Sequence, residues 1–84
     1  MWYLYVVEAK DKSLYTGITK NVDRRLQQHN KGVGAKSLLG KRPVKLRYIE
    51  QFDNQIYAMK REREIKGWNR SKKLNLIGKN LQGP

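Results

Sequence analysis

The N-terminal segment Trp2–Glu8 (WYLYVVE) constrains the fold most, because its side chains are apolar or aromatic on both faces of an extended chain. Successive side chains of a strand point to opposite faces of a sheet. A strand that is apolar on both faces needs to be covered on both sides. We therefore expect Trp2–Glu8 to be a central strand of a small sheet.

A second strand and a helix are predicted to follow. The segment Ala9–Ser13 (AKDKS) reads as a polar turn, and Leu14–Thr19 (LYTGIT) reads as a short strand, so the two strands predict a hairpin. Asn21 is a good N-cap for the next helix. Three residues of that helix are spaced to share one face: Val22, Leu26 and His29.

The remainder of the chain predicts one more strand and a second helix. Residues from Lys31 to Pro43 are rich in glycine and cations, which indicates a basic loop. The segment Val44–Glu50 (VKLRYIE) begins as an alternation of apolar and basic residues, as expected of an edge strand. Asp53 or Asn54 is expected to cap the second helix, with Gly67 as its end.

A third helix is predicted to begin at Asn69 or Ser71. Its apolar residues recur at helical spacing: Leu74, Ile77 and Leu81. The resulting order, β-β-α-β-α-α, is that of an α+β protein. Because no internal repeat divides the 84 residues, we expect one domain over residues 1–84.

The amino-acid composition excludes several kinds of function and favours one kind of partner. The absence of cysteine excludes disulfides and thiolate zinc sites, and a single histidine excludes a multi-histidine metal site. Lys and Arg number 19 against 7 Asp and Glu, giving a net charge of +12, which favours a polyanionic partner. A ribosome-associated basic protein would explain the charge equally well. With no long apolar run and no signal peptide, we expect a cytoplasmic protein without a membrane partner.

Glu62 is a candidate functional residue because of its helical phase. It lies in the charged run Lys60–Glu64, which would ordinarily be a solvated helix face with intrahelical ion pairs. However, Glu62 follows Ala58 by four residues and precedes Ile65 by three, so it belongs to the inward side of the helix. A carboxylate there needs a partner, which is either a metal ion or an arginine.

The first helix offers a matching cation. Arg25 lies beside the apolar face, whereas Arg24 is free to face solvent. Arg25 is therefore expected either to pair with a carboxylate such as Glu62 or to face a bound phosphate. His29 lies one turn later on the same face, and a lone histidine is more often structural than catalytic.

The tyrosines of the predicted hairpin complete this set. Tyr5 and Tyr15 lie on its paired strands, and Gly17 shares a strand face with Tyr15. A glycine there leaves room for a ligand or a phosphate beside the Tyr15 hydroxyl. Five side chains are thus predicted to converge on one face of the sheet: Tyr5, Tyr15, Arg25, His29 and Glu62.

These motifs resemble the GIY-YIG endonuclease superfamily, and most closely its small single-domain bacterial members akin to the nuclease domain of Slx-type endonucleases. The resemblance covers nearly the whole chain and rests on Tyr3-Leu4-Tyr5, Tyr15-Thr16-Gly17, Arg25, His29-Asn30, Gly34-Ala35-Lys36 and Arg61-Glu62. The chain departs from the name-giving motifs by having Tyr3 and Leu4 in the first and Thr16 in the second.

The resemblance implies a three-stranded antiparallel sheet flanked by helices, and an endonuclease that uses one Mg²⁺ or Mn²⁺ ion. By this likeness Tyr15 would activate or position the attacking water, and Tyr5 would orient that water or the phosphate. Arg25 would stabilise charge on the phosphate, and His29 would assist near the tyrosines. Glu62 would hold the metal.

DNA is the expected partner, and the resemblance leaves room for a protein scaffold as well. The residues expected to contact DNA are Gly17, Arg24, Lys31, Lys36, Lys41, Arg42, Lys66, Arg70, Lys72 and Lys73. Structure-specific and single-strand-specific cleavage both stay open. The alternative is a non-catalytic basic module that binds DNA or RNA, which would need the cations but would have no use for an inward Glu62.

Overall fold

In the computed structural model of the chain, residues 1–81 are described, with side chains described through residue 78. The elements are β1 (Trp2–Glu8), β2 (Leu14–Thr19), α1 (Val22–Lys31), a short 3₁₀ helix (Lys36–Lys41), β3 (Lys45–Phe52), α2 (Gln55–Lys66) and α3 (Arg70–Leu81). The predicted α+β order is confirmed. The third strand begins one residue later and ends two residues later than expected.

The three strands form one antiparallel sheet in the order β2-β1-β3, so the prediction of a central first strand is confirmed. In the hairpin, Tyr5 lies opposite Gly17 and Val7 lies opposite Tyr15. These four residues therefore share one face of the sheet. The pairing of β1 with β3 contains a register shift between Val6 and Val7.

Each face of the sheet carries its own apolar core, which explains the two-sided character of β1. One core packs beneath α2 and α3 and consists of Leu4, Val6, Tyr48, Ile65 and Ile77. The other packs beneath α1 and the 3₁₀ helix and consists of Tyr5, Val7, Ala9, Leu38 and Val44. The segment expected to be a plain basic loop thus contains a helical turn, because Leu38 is buried in the second core.

Asparagine is the N-cap residue of α1, α2 and α3. Asn21, Asn54 and Asn69 each accept a hydrogen bond from the backbone N–H three residues later. Of the paired candidates, Asn54 and Asn69 are therefore the caps, since their amide oxygens satisfy a free N–H of the first turn. Gly67 follows the last residue of α2, as predicted.

The apolar side chains of α3 differ in exposure. Leu74 is 41% exposed, whereas Ile77 is 3% exposed and Leu76 packs against the same core. Helix α3 meets the sheet along β3, and its line of contact lies between Leu76 and Ile77, so Leu74 is rotated by about 110° from that line. The side chain of Leu81 lies outside the described residues. None of the described helices combines the length and apolarity that crossing a membrane requires.

Candidate active site

Three aromatic rings meet on the face of the sheet that α1 covers. The ring centroids of Tyr5 and Tyr15 are 6.3 Å apart, and the His29 ring lies 5.8 Å from Tyr5 and 5.5 Å from Tyr15. The two tyrosines come from neighbouring strands, and His29 comes from the last turns of α1. The fold therefore brings together three of the five residues predicted to converge.

Gly17 makes room for the first of these rings. A Cβ atom at Gly17 would lie 2.5 Å from the hydroxyl oxygen of Tyr5 and 2.7 Å from its Cζ atom. The space that we expected to admit a ligand is thus filled by the Tyr5 phenol. The glycine allows the phenol to rest directly on β2.

The hydrogen bonds of His29 define which of its nitrogens carries the proton. The backbone N–H of Ala35 donates to Nδ1 over 3.2 Å, so Nδ1 is unprotonated in the neutral ring. The proton therefore resides on Nε2, which lies 2.8 Å from the Tyr5 hydroxyl oxygen and donates to it. Burial lowers the pKa of His29, and the positive charge of Arg25 lowers it further, so the neutral form is favoured.

The segment that supplies this N–H is held tightly against the histidine. A Cβ atom at Gly34 would lie only 2.2 Å from Nδ1 of His29. Asn30 accepts from the backbone N–H of Val44 over 2.7 Å and donates to its carbonyl over 3.3 Å. Gly34, Ala35 and Asn30 had no predicted role, although they belong to the motifs that carry the resemblance.

The surroundings of Tyr5 favour the protonated form of its hydroxyl. Burial raises the pKa of its hydroxyl well above the ordinary value of 10.0. The charges of Tyr15 and Glu62 raise this pKa further, whereas Arg25 lowers it. Because the Tyr5 oxygen accepts a hydrogen bond from His29, its own proton is directed elsewhere. By contrast, the hydroxyl of Tyr15 makes no hydrogen bond within residues 1–78.

Glu62 approaches this cluster from α2. Its Oε2 atom lies 3.3 Å from Nζ of Lys66, one turn along the helix, and its side chain is 23% exposed. The Lys66 ammonium also lies 5.9 Å from the ring centroid of Tyr15. Glu62 thus forms the intrahelical ion pair that is usual in a charged run, and the predicted pairing with Arg25 does not form among the described residues.

A neighbouring arginine fixes the orientation of α2. The guanidinium of Arg61 donates to both carboxylate oxygens of Glu50 on β3, at 3.0 to 3.2 Å. Since Arg61 is anchored toward β3, the next residue, Glu62, is turned by about 100° around the helix. Arg61 is thus directed toward β3, whereas Glu62 is directed toward β2, where its partner Lys66 lies beside the Tyr15 ring.

The residues present fit a hard divalent cation with few protein ligands. Glu62 is the one carboxylate of this cluster, and the described residues contain no group of three His, Cys, Asp or Glu side chains that would form a larger metal site. Magnesium keeps several water ligands and is commonly bound by one or two carboxylates together with substrate phosphates. Lys66 contacts Oε2 of Glu62, which leaves Oε1 available to such a cation.

Arg25 is half-buried and forms no ion pair within residues 1–78. Its positive charge influences the hydroxyl of Tyr5 and the ring of His29. It also lines a cleft of about 280 Å³ between the end of β2 and α1, which we call the α1 cleft. The residues lining the α1 cleft are Thr19, Lys20, Asn21, Arg24, Arg25 and Gln28.

The residues predicted to contact DNA have unequal surroundings. Those that are exposed and form no ion pair within residues 1–78 are Arg24, Lys31, Lys36, Arg42, Arg70 and Lys72. Lys41 lies 3.5 Å from a carboxylate oxygen of Asp11. Lys73 is half-buried, and Gly17 is buried beside Tyr5. Lys66, as described above, pairs with Glu62.

Comparison with known proteins identifies the family. The sequence matches the GIY-YIG catalytic domain over residues 1–75, a range that contains the aromatic cluster, Arg25 and the Glu62–Lys66 pair. The chain belongs to the GIY-YIG family. This is a family of nucleases, so the resemblance seen in the sequence is confirmed.

Relatives of this GIY-YIG protein include chains of similar length. It is 52% identical over 75 residues to a UPF0213 protein of Staphylococcus saprophyticus, covering 89% of this chain and 92% of the relative. It is 50% identical over 74 residues to a UPF0213 protein of Haloquadratum walsbyi, covering 88% and 83%. The solution NMR structure of a UPF0213 protein of Bacillus halodurans aligns with a TM-score of 0.61 and 42% identity, over 99% of this chain and 87% of that one.

Proposed function

We propose that this GIY-YIG protein is a divalent-metal-dependent endonuclease that hydrolyses phosphodiester bonds in DNA. The observation that carries the proposal is the buried hydrogen bond of 2.8 Å between Tyr5 and His29, beside Tyr15 and the Glu62–Lys66 pair. A protein that only binds nucleic acid needs cations, but it has no use for a buried phenol–imidazole pair next to a half-buried carboxylate.

Tyr15 is the residue that we assign to the attacking water. Its hydroxyl has no hydrogen-bond partner within residues 1–78, so it is available to accept a proton from water or to position it. Its ring is fixed against His29 at 5.5 Å, which limits the directions in which the hydroxyl can point. A positioned hydroxyl of this kind contributes through general acid–base chemistry.

Tyr5 and His29 act together as an orienting pair. Because Nε2–H of His29 donates to the Tyr5 oxygen, the Tyr5 proton is left to bond with the water or with a phosphate oxygen. The basic nitrogen of His29 faces the backbone N–H of Ala35 and is not available to Tyr5. His29 therefore orients Tyr5 and does not remove its proton.

Arg25 and Glu62 provide the charges that phosphate chemistry needs. A guanidinium that is not committed to a carboxylate can bond to two phosphate oxygens and stabilise the charge that grows on them in the transition state. Glu62 would hold the Mg²⁺ or Mn²⁺ ion, which when bound supplies Lewis-acid polarisation of the phosphate. The net charge of +12 favours binding to a nucleic-acid backbone.

The test is single-turnover cleavage of labelled DNA single strands, flaps, junctions and nicked duplexes, with Mg²⁺, with Mn²⁺ and with EDTA. We expect cleavage that EDTA abolishes. Tyr15→Phe should lower the rate by about two to four orders of magnitude while folding is retained, because only a hydroxyl that handles water is lost.

Tyr57→Phe is the matched control. Tyr57 is 56% exposed and lies at the opposite end of α2 from Lys66, so the loss of its hydroxyl should leave the rate unchanged. A rate for Tyr15→Phe within a few-fold of the parent would remove Tyr15 from the chemistry. DNA binding without cleavage of any substrate by the folded parent protein would favour the non-catalytic binding module.

A further inference from the structure

We infer that the α1 cleft is a second phosphate subsite, which holds the DNA phosphate adjacent to the one that is cleaved. This inference rests on the proposed nuclease function. Arg25 lines the cleft and lies one helical turn before His29 on α1, so it joins the cleft to the Tyr5–His29 pair. A phosphate bound in the cleft would therefore neighbour a phosphate held at the aromatic cluster.

The lining of the α1 cleft is rich in hydrogen-bond donors. The guanidinium of Arg24 is exposed and forms no ion pair within residues 1–78. Asn21 uses its amide oxygen to accept from the backbone N–H of Arg24, which leaves its NH₂ group available. The side chain of Gln28 makes no hydrogen bond within the same residues. Such donors, together with Arg25, suit the oxygens of a phosphate.

The charge of the cleft supports an anionic ligand. None of the described residues that line it is acidic. Lys20 forms part of the wall, but its ammonium is directed toward Trp2, 5.5 Å from the ring centroid. The volume of about 280 Å³ corresponds to roughly nine water molecules. That space is sufficient for a phosphate group and part of its sugar.

The donors of the α1 cleft would also suit the phosphate of a free nucleotide. Two small ligands distinguish a free nucleotide from a DNA strand as the source of the bound phosphate. Thymidine 5′-monophosphate carries one phosphate, whereas thymidine 3′,5′-bisphosphate carries two phosphates joined by a nucleoside, as in a DNA strand. Both are titrated into the full-length protein with EDTA present, using calorimetry and backbone-amide NMR shifts. If the cleft takes the neighbouring phosphate, the bisphosphate should bind at least about tenfold more tightly, since it adds charge-assisted hydrogen bonds.

Arg24→Gln should remove most of this advantage, because it removes the exposed guanidinium of the cleft. The matched control is Arg63→Gln, which removes the same charge from an exposed arginine of α2 that forms no ion pair among the described residues. This control should keep the advantage. Gln28→Ala leaves the charge unchanged and should reduce the advantage by a smaller factor.

Two results would overturn the subsite. The first is equal affinity of the parent protein for the two ligands; if the monophosphate then shifts the amides of residues 19–28, the cleft is a free-nucleotide site. The second is an equal loss of the bisphosphate advantage in Arg24→Gln and Arg63→Gln, which would indicate general electrostatics. Since this assay involves no cleavage, a protein that passes it but cleaves no DNA would contradict the proposed function alone.

Discussion

Gly17 offers the sharpest test of how the aromatic cluster is built. In Gly17→Ala the new methyl carbon would lie 2.5 Å from the Tyr5 hydroxyl oxygen. Non-bonded heavy atoms prefer about 3.5 Å, so the hydroxyl would have to move by roughly 1 Å. A displacement of this size would break or strongly distort the hydrogen bond to His29, whose donor and acceptor atoms are 2.8 Å apart in the parent protein.

The expected loss of stability follows from two physical costs. Overpacking a well-packed core costs about 1–3 kcal/mol. A buried hydroxyl or imidazole that loses its hydrogen-bond partner costs about 1–3 kcal/mol. We therefore expect Gly17→Ala to lower the free energy of unfolding by about 2–6 kcal/mol. In a domain of this size that corresponds to a fall in Tm of roughly 10–50 °C.

The measurement is urea and thermal unfolding followed by tryptophan fluorescence. Gly40→Ala is the matched control, because a Cβ atom there would meet nothing within 4 Å. It should change the free energy of unfolding by less than about 0.5 kcal/mol. Single-turnover cleavage at a temperature where Gly17→Ala is still folded should be at least about tenfold slower than the parent, because the Tyr5 hydroxyl is displaced.

Equal stability of Gly17→Ala and Gly40→Ala would refute this reasoning, because it would mean that the phenol of Tyr5 does not rest on β2. A different pattern would be equally informative. If Gly17→Ala kept its stability but bound DNA more weakly, the glycine would serve ligand access, as the sequence first indicated.

Two further predictions concern the carboxylate and the histidine. Glu62→Gln should abolish cleavage while DNA affinity is kept or raised. The control Glu64→Gln, on the exposed side of α2, should cleave at the parent rate. Equal losses of activity in the two variants would contradict the assignment of the metal to Glu62. His29 should make stability depend on pH, because burial lowers its pKa below the ordinary value of 6.5 in the folded protein. Its contribution is therefore complete above about pH 6.5 and is lost as the pH falls toward the lower folded pKa, since the unfolded chain takes up the proton first. Urea unfolding at pH 7.5, 6.5 and 5.5 should show this decline in the parent and a weaker decline in His29→Gln, and parallel pH profiles would contradict it.

Strand order and helix ends were predictable from the sequence because local chemistry determines them. A segment that is apolar on both faces has no stable place at a solvated edge, so β1 had to be central. Asn21 precedes an amphipathic segment and can satisfy a free N–H there, as it does. The two-residue alternation of strands also put Tyr5 and Tyr15 on one face of the hairpin, given the observed register.

Other features depend on contacts between distant segments and had no local signal. The proton position on His29 is determined by a backbone N–H of Ala35, which no side-chain pattern reveals. Arg61 looked like part of a solvated run, yet it bonds Glu50 on β3. The exposure of Leu74 depends on the angle at which α3 meets the sheet, and helical spacing alone does not fix that angle.

The order of the elements along the chain has a consequence for synthesis on the ribosome. Both tyrosines, Arg25 and His29 lie in β1, β2 and α1, which are made first, whereas Glu62 lies on α2. The central strand β1 can pair with β2 at once, but its other neighbour, β3, is made only after the intervening helix and loop. A nascent chain therefore carries the tyrosines, Arg25 and His29 before it carries the proposed metal ligand. The complete candidate site exists only once α2 has emerged and docked on the sheet.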